Sequence, residues 1–239
     1  MRLALGMQHE NELVKVALNH GFAGFDTARA YGTEGLLSDV PEHCKIVTKV
    51  PKGGDVMETF EHFKEATGRT KLHAILMHHA ADYDERAVFQ LDVLKCGGAI
   101  SRYGVSVYDP QDIPKLDFDI IQFPLNLFDQ RFLPYIENWA SSGVETWARS
   151  AFLRGVIMSA PTDLPEFFSP LKPKLACLPS DKSARLNMAL QFINNSGVDY
   201  CILGFKSRTE LSDAYRCHSQ LQTKEFASLE CIDPRVWPR

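Results

Sequence analysis

The chain has 239 residues, 45% hydrophobic and 23% charged, with a formal net charge of −4. That composition is ordinary for a globular protein, and its slight acidity gives no electrostatic footprint for nucleic acid or an anionic membrane surface. No apolar run approaches the ~18 residues of a membrane span, and the start Met1-Arg2-Leu3-Ala4-Leu5-Gly6 turns polar too soon for a signal peptide. The cysteines, Cys44, Cys96, Cys177, Cys201, Cys217 and Cys231, form no C-x-x-C pair. Zinc-type spacing is absent and no metal site is expected. Reduced thiols in a cytoplasmic protein are expected, most of them packed as small apolar groups.

Strand-like and helix-like segments alternate. Residues 3–6 read as a first strand. Residues 10–19 carry Leu13, Val14, Val16, Ala17 and Leu18 as an apolar helical stripe. The short apolar strand 21–25 ends at Asp26, and a short helix is expected near Glu34 with Leu36 and Leu37 facing in. Strand three, over 45–50, ends in Lys49. Asp55 is a good N-cap for a helix over 56–66. Strand four covers 72–78 and ends in His78. A helix over 84–95 is closed by Gly97-Gly98. Strand 101–107 follows, then a short helix opened by Asp109-Pro110, proline being suited to the first helical position. Strand 118–123, helix 134–142, strand 144–148, helix 182–194, strand 200–203 and helix 209–218 complete the pattern. Eight βα units in a chain of this length match the α/β class and the (β/α)8 TIM barrel, expected as a single domain over 1–239. An open doubly wound sheet stays open as an alternative, although the Gly-rich G-x-G-x-x-G turn of its dinucleotide-binding form is absent.

Residues 152–179 break the rhythm. They hold Pro161, Pro165, Pro170, Pro173 and Pro179 with the pair Phe167-Phe168, and such proline density rules out a continuous helix. Two readings stay open: an ordered flap over the barrel mouth, or a loop that packs only on its own barrel.

In a parallel barrel the C-terminal strand ends meet at one mouth. Asp26, Tyr31, Lys49 and His78 therefore gather an acid, a phenol, an amine and an imidazole from three successive strand ends. Tyr31 is the candidate general acid. A free phenol has a pKa near ~10, and a neighbouring ammonium favours its phenolate. Lys49 can supply that charge, Asp26 can orient Lys49, and His78 can hydrogen-bond a carbonyl oxygen. Each residue alone has an ordinary structural use; the conjunction across consecutive strands points to chemistry.

The run Gly24-Phe25-Asp26-Thr27-Ala28-x-x-Tyr31-Gly32-x-Glu34 resembles the signature of the aldo-keto reductases. Val47-Thr48-Lys49, Leu76-Met77-His78, Arg102-Tyr103-Gly104-Val105-Ser106 and Ile121-Gln122-Phe123-Pro124-Leu125-Asn126 resemble its later blocks in order, as does the terminal Asp233-Pro234-Arg235-x-Trp237. The resemblance implies a catalytic tetrad of Asp26, Tyr31, Lys49 and His78, with NADPH across the barrel mouth. Hydride would pass to the carbonyl carbon of a small-molecule substrate while Tyr31 protonates the oxygen. It also implies Ser106 and Gln122 on the nicotinamide carboxamide, Ser150 and Phe152 near the pyrophosphate, and Gly204, Lys206, Ser207 and Arg208 around the adenosine phosphate. Two cations beside a hydroxyl at a helix start suit a 2′-phosphate, which favours NADP(H) over NAD.

The chain departs from the family pattern at three places. Val107 stands where an asparagine is usual, and Asp213-Ala214 where a Glu-Asn pair is usual. Arg149 stands where an aromatic stacks on the nicotinamide; a guanidinium can also stack on a flat ring. Two other functions stay open: a Schiff-base lyase with Lys49 as nucleophile, and a non-catalytic barrel that senses nucleotide or binds a protein partner.

Overall fold

The computed structural model describes residues 1–7 and 12–220. The start of the first expected helix, Cys231 and the Asp233-Pro234-Arg235-x-Trp237 block lie outside the described residues. Eight strands run β1 (Arg2–Gly6), β2 (Gly24–Asp26), β3 (Lys45–Val50), β4 (Leu72–Met77), β5 (Ile100–Ser106), β6 (Ile120–Pro124), β7 (Glu145–Arg149) and β8 (Tyr200–Leu203). All neighbours pair in parallel and in sequence order, and β8 returns to β1, so the sheet closes into the expected barrel. The helices are α1 (Glu12–Asn19), α2 (Val56–Thr67), α3 (Glu85–Cys96), α4 (Leu133–Ser141), α5 (Lys172–Ala176), α6 (Lys182–Asn195) and α7 (Arg208–His218).

Local chemistry sets the helix starts. Asp55 accepts from the Met57 and Glu58 amides, Asp84 from Ala87, and Asp181 from Ala184, each filling an orphan donor of the first turn. After β2 and β5 the expected short helices are single 3-10 turns, Glu34–Leu37 and Pro110–Asp112. Pro114 lacks the amide that a longer helix after β5 would need.

The apolar residues form two shells. The larger lies between the strands and the helices. The smaller fills the barrel itself with Ala4, Val47, Ala74, Leu76, Ile120, Trp147, Tyr200 and Ile202. Trp147 and Tyr200 stack there at 4.5 Å between ring centroids. Gly24 makes the space: a Cβ on it would stand 2.8 Å from the Trp147 ring.

The barrel floor is polar. Glu145, at the start of β7, accepts from Lys45 Nζ, from His73 Nε2 at 2.8 Å and from Trp147 Nε1 at 2.6 Å, with Arg102 Nε at 3.5 Å.

Residues 152–179 fold as the 3-10 turns Leu153–Met158, Pro161–Asp163 and Glu166–Phe168, followed by α5. Phe168, Leu171, Leu175 and Leu178 are buried. Arg185 of α6 donates to the carbonyls of Ile157, Ser159 and Pro179, tying the segment to the outside of its own barrel. The cysteines depart from expectation: of the five described, only Cys44 and Cys201 are buried, while Cys96 and Cys177 are exposed.

Candidate active site

Asp26, Lys49, Ser106 and Arg149 are the last inward-facing residues of β2, β3, β5 and β7, Gln122 lies two residues before the end of β6, and alternation along each strand turns all five toward the barrel axis. Lys49 is 1% exposed. Its ammonium donates to Asp26 Oδ1 at 2.6 Å and to the Thr27 carbonyl at 2.9 Å. The same ammonium lies 5.3 Å from the centroid of the Tyr31 ring. The Tyr31 and His78 rings stand edge to face, 6.3 Å apart. The four residues expected to act together are therefore close neighbours at one mouth.

Tyr31 is held by its own loop. It ends the 3-10 turn Arg29–Tyr31, which Gly32 closes at φ 66°, a left-handed conformation suited to glycine. Thr33 then donates to the Met7 carbonyl. Glu34, quoted above only as part of a motif, is 2% exposed and accepts from the Thr48 hydroxyl on β3. Its other oxygen lies 3.4 Å from His62 Nε2 on α2. The Tyr31 loop is thus fastened to the strand that carries Lys49.

Burial, reinforced by the Lys49 charge, pushes His78 down to about 4. At neutral pH it is an uncharged imidazole with one N–H to donate.

Gln122 and Ser106 are buried together. Ser106 Oγ donates to Gln122 Oε1 at 3.2 Å, and Gln122 Nε2 donates to Asp26 Oδ1 at 2.7 Å. This contact with the Asp26–Lys49 pair had no sequence signal, because 96 residues separate the partners.

The block after β7 is strained. Ser150, Leu153 and Arg154 take φ of 61°, 50° and 54°, conformations that cost non-glycine residues about 1–3 kcal/mol and cluster at ligand clamps. Phe152 precedes this turn and is half-buried. Arg149 lies with its guanidinium carbon 3.9 Å over the Tyr108 ring, and its Nη2 donates to the Val107 carbonyl at 3.0 Å. Tyr108 was not singled out from the sequence.

At the end of β8, a Cβ on Gly204 would meet nothing within 4 Å. Ser207 caps α7 by accepting from the Glu210 amide, and the Glu210 carboxylate accepts from the amide of Lys206 just before the cap. Arg208 pairs with Glu12 at 2.8 Å. Of the four residues expected around the adenosine phosphate, Gly204 has no side chain, Ser207 and Arg208 are engaged, and Lys206 makes no side-chain bond or ion pair among the described residues.

Known proteins supply a fold comparison. No family model matches the chain. No curated protein matches it by sequence. Solved structures match closely in shape. An aldo-keto reductase from Bacillus halodurans in its holo form is 17% identical, with a TM-score of 0.78 over 94% of this chain and 88% of that one. A putative aldo-keto reductase from Pseudomonas aeruginosa is 20% identical, with a TM-score of 0.70 over 91% and 89%. An aldo-keto reductase from Klebsiella pneumoniae in complex with NADPH is 15% identical, with a TM-score of 0.70 over 92% and 86%. The chain has the closed eight-stranded parallel barrel of the aldo-keto reductases.

Proposed function

We propose that the protein is an NADPH-dependent carbonyl reductase of the aldo-keto type. The observation that carries this reading is the buried Lys49 ammonium, bonded to Asp26 and facing the Tyr31 ring at 5.3 Å. NADPH supplies the hydride when bound. Tyr31 holds the proton that the carbonyl oxygen takes up. Lys49 provides fixed positive charge beside the phenol, where negative charge develops as that proton leaves. Asp26 and Thr27 fix Lys49 in place. His78, neutral, donates a hydrogen bond that orients the carbonyl oxygen.

The donors at the mouth fit a nicotinamide nucleotide. The Ser106 hydroxyl and the Gln122 amide offer a carboxamide both a donor and an acceptor. The left-handed backbone at Ser150, Leu153 and Arg154, close to Phe152, suits a diphosphate clamp. The open space at Gly204 and the free ammonium of Lys206 suit the adenosine end. The NADPH bound by the Klebsiella pneumoniae reductase supports the same choice here.

The Schiff-base alternative needs a neutral lysine with a free lone pair. A Lys49 ammonium that donates to Asp26 and Thr27 has none to offer.

Two experiments test the reading. Tyr31→Phe removes the proton donor, so turnover is expected to fall by about 10²–10⁴-fold with NADPH affinity unchanged. Retained turnover would remove Tyr31 from its role. A fluorescence titration is expected to favour NADPH over NADH, with that preference lost in Lys206→Ala; equal affinity in both proteins would refute the NADP assignment.

A further inference from the structure

The charge of Arg149 is left over when the rest of the mouth is paired. Arg149 ends β7 in the same alternation as Trp147, which fills the barrel interior, so its side chain leaves the wall toward the mouth. A guanidinium has five N–H donors. One reaches the Val107 carbonyl at 3.0 Å and one makes a long contact of 3.4 Å with Ser150 Oγ. Nε–H and the remaining donors have no protein partner among the described residues.

No carboxylate among the described residues pairs with it. The two carboxylates whose charge reaches Arg149 are committed elsewhere. Asp26 receives Lys49 and Gln122. Asp129 receives Arg131 through both oxygens, at 2.9 and 2.8 Å. Tyr108 supports the guanidinium with its ring face but offers no counter-charge. Burial works against the charge, and Tyr108 and Asp26 oppose that effect. A half-buried cation without a counter-ion is costly, and an anionic ligand is the partner that offsets it.

The position suits substrate recognition. Arg149 shares the mouth with the acid and the hydrogen-bond donor, and its charge is felt at His78 and Tyr31. One planar fork fits a carboxylate in two parallel hydrogen bonds.

We infer that Arg149 binds a carboxylate on the substrate, so that the protein reduces oxo acids in preference to neutral aldehydes and ketones. The inference rests on the reductase reading for its chemistry, but the anion site is testable by binding alone. The probes are 4-formylbenzoate and its methyl ester, similar in shape and differing in charge. With NADPH, the wild-type kcat/KM ratio of acid to ester is expected to exceed about tenfold, the factor that corresponds to ~1.4 kcal/mol. It should fall toward one in Arg149→Met and recover in part in Arg149→Lys, which keeps the charge without the fork. In parallel, calorimetric titration should show the acid binding wild type more tightly than the ester, with the difference lost in Arg149→Met. If neither probe is turned over but the binding difference appears and depends on Arg149, the reductase reading fails and the anion site stands. If both probes are reduced at a ratio that Arg149→Met leaves unchanged, the reductase stands and this inference is overturned. Loss of NADPH affinity in Arg149→Met with an unchanged ratio would put the guanidinium on the cofactor and overturn it as well. Absence of any acid-over-ester preference in wild type, in turnover and in binding, overturns it outright.

Discussion

Lys49 shows how a buried charge is made tolerable and useful at once. An ammonium inside a barrel loses its water, and three fixed acceptors replace it: the Asp26 carboxylate, the Thr27 carbonyl and the face of the Tyr31 ring. The same charge works against protonation of His78, already disfavoured by burial. This has a consequence for stability. His78 holds its pKa at about 4 in the folded protein, below its ordinary 6.5. Between those values the unfolded chain binds a proton that the folded chain does not, so stability rises with pH across that window. Stability from this group is therefore complete above about 6.5 and is lost progressively as pH falls toward 4. Denaturant titrations at pH 7 and pH 5 should show a smaller drop in His78→Gln than in wild type; equal drops would show that His78 does not carry the effect. The four catalytic candidates were legible at the level of residue and strand end, because a barrel brings strand ends together whatever the details. Gln122 on Asp26 and Tyr108 under Arg149 were not, because each depends on side-chain direction between distant strands.

At the scale of the element, β2 is three residues long and carries one of the tightest packing demands in the barrel. Gly24 pairs with Ala4 on one side and Lys45 on the other while its bare Cα faces the Trp147 indole. The indole is 0% exposed and pinned by a hydrogen bond to Glu145 and by its stack on Tyr200. It has no room to yield to a methyl group at 2.8 Å. Gly24→Ala is expected to destabilise by about 1–3 kcal/mol through overpacking. Thermal or denaturant unfolding measures the loss, and Gly24→Ala combined with Trp147→Phe should regain part of it. An unchanged midpoint in the single variant would mean that the ring has more freedom than its partners indicate. The element pattern itself was readable from apolar periodicity and caps. What periodicity missed was the 3-10 character after β2 and β5; after β5, Pro110 and Pro114 leave no room for a longer α-helix.

The whole molecule places its charges in two layers. The mouth gathers Asp26, Lys49 and Arg149, and the floor gathers Lys45, His73 and Arg102 around Glu145. Burial by itself would raise the Glu145 carboxyl, but its bonds from His73, Lys45 and Trp147 outweigh that and hold it down at about 2. Its contribution to stability is present above the ordinary 4.5 and is lost as pH falls from there toward 2. Glu145→Gln leaves the surrounding cations without their counter-charge, at a cost of about 3 kcal/mol near neutral pH. The gap between variant and wild type should close in acid below about 4.5, which distinguishes lost charge from lost shape. A gap that persists unchanged into acid would assign the cost to packing.

Sequence by itself determined the barrel and the mouth. Alternating periodicities dictate strands and helices, eight βα units in this length match a closed barrel, and residues at the C-terminal strand ends of such a barrel meet at one rim. Tertiary structure alone decided which of those residues pair and which are left over. Ser207 and Arg208, expected around a phosphate, are engaged by Glu210 and Glu12. Glu34 is buried against β3, residues 152–179 pack on α6, and Arg149 sits on Tyr108 with no carboxylate partner among the described residues. The reason is physical: periodicity is local and survives in one dimension, whereas charge pairing depends on angstrom distances between strands that the chain separates by tens of residues.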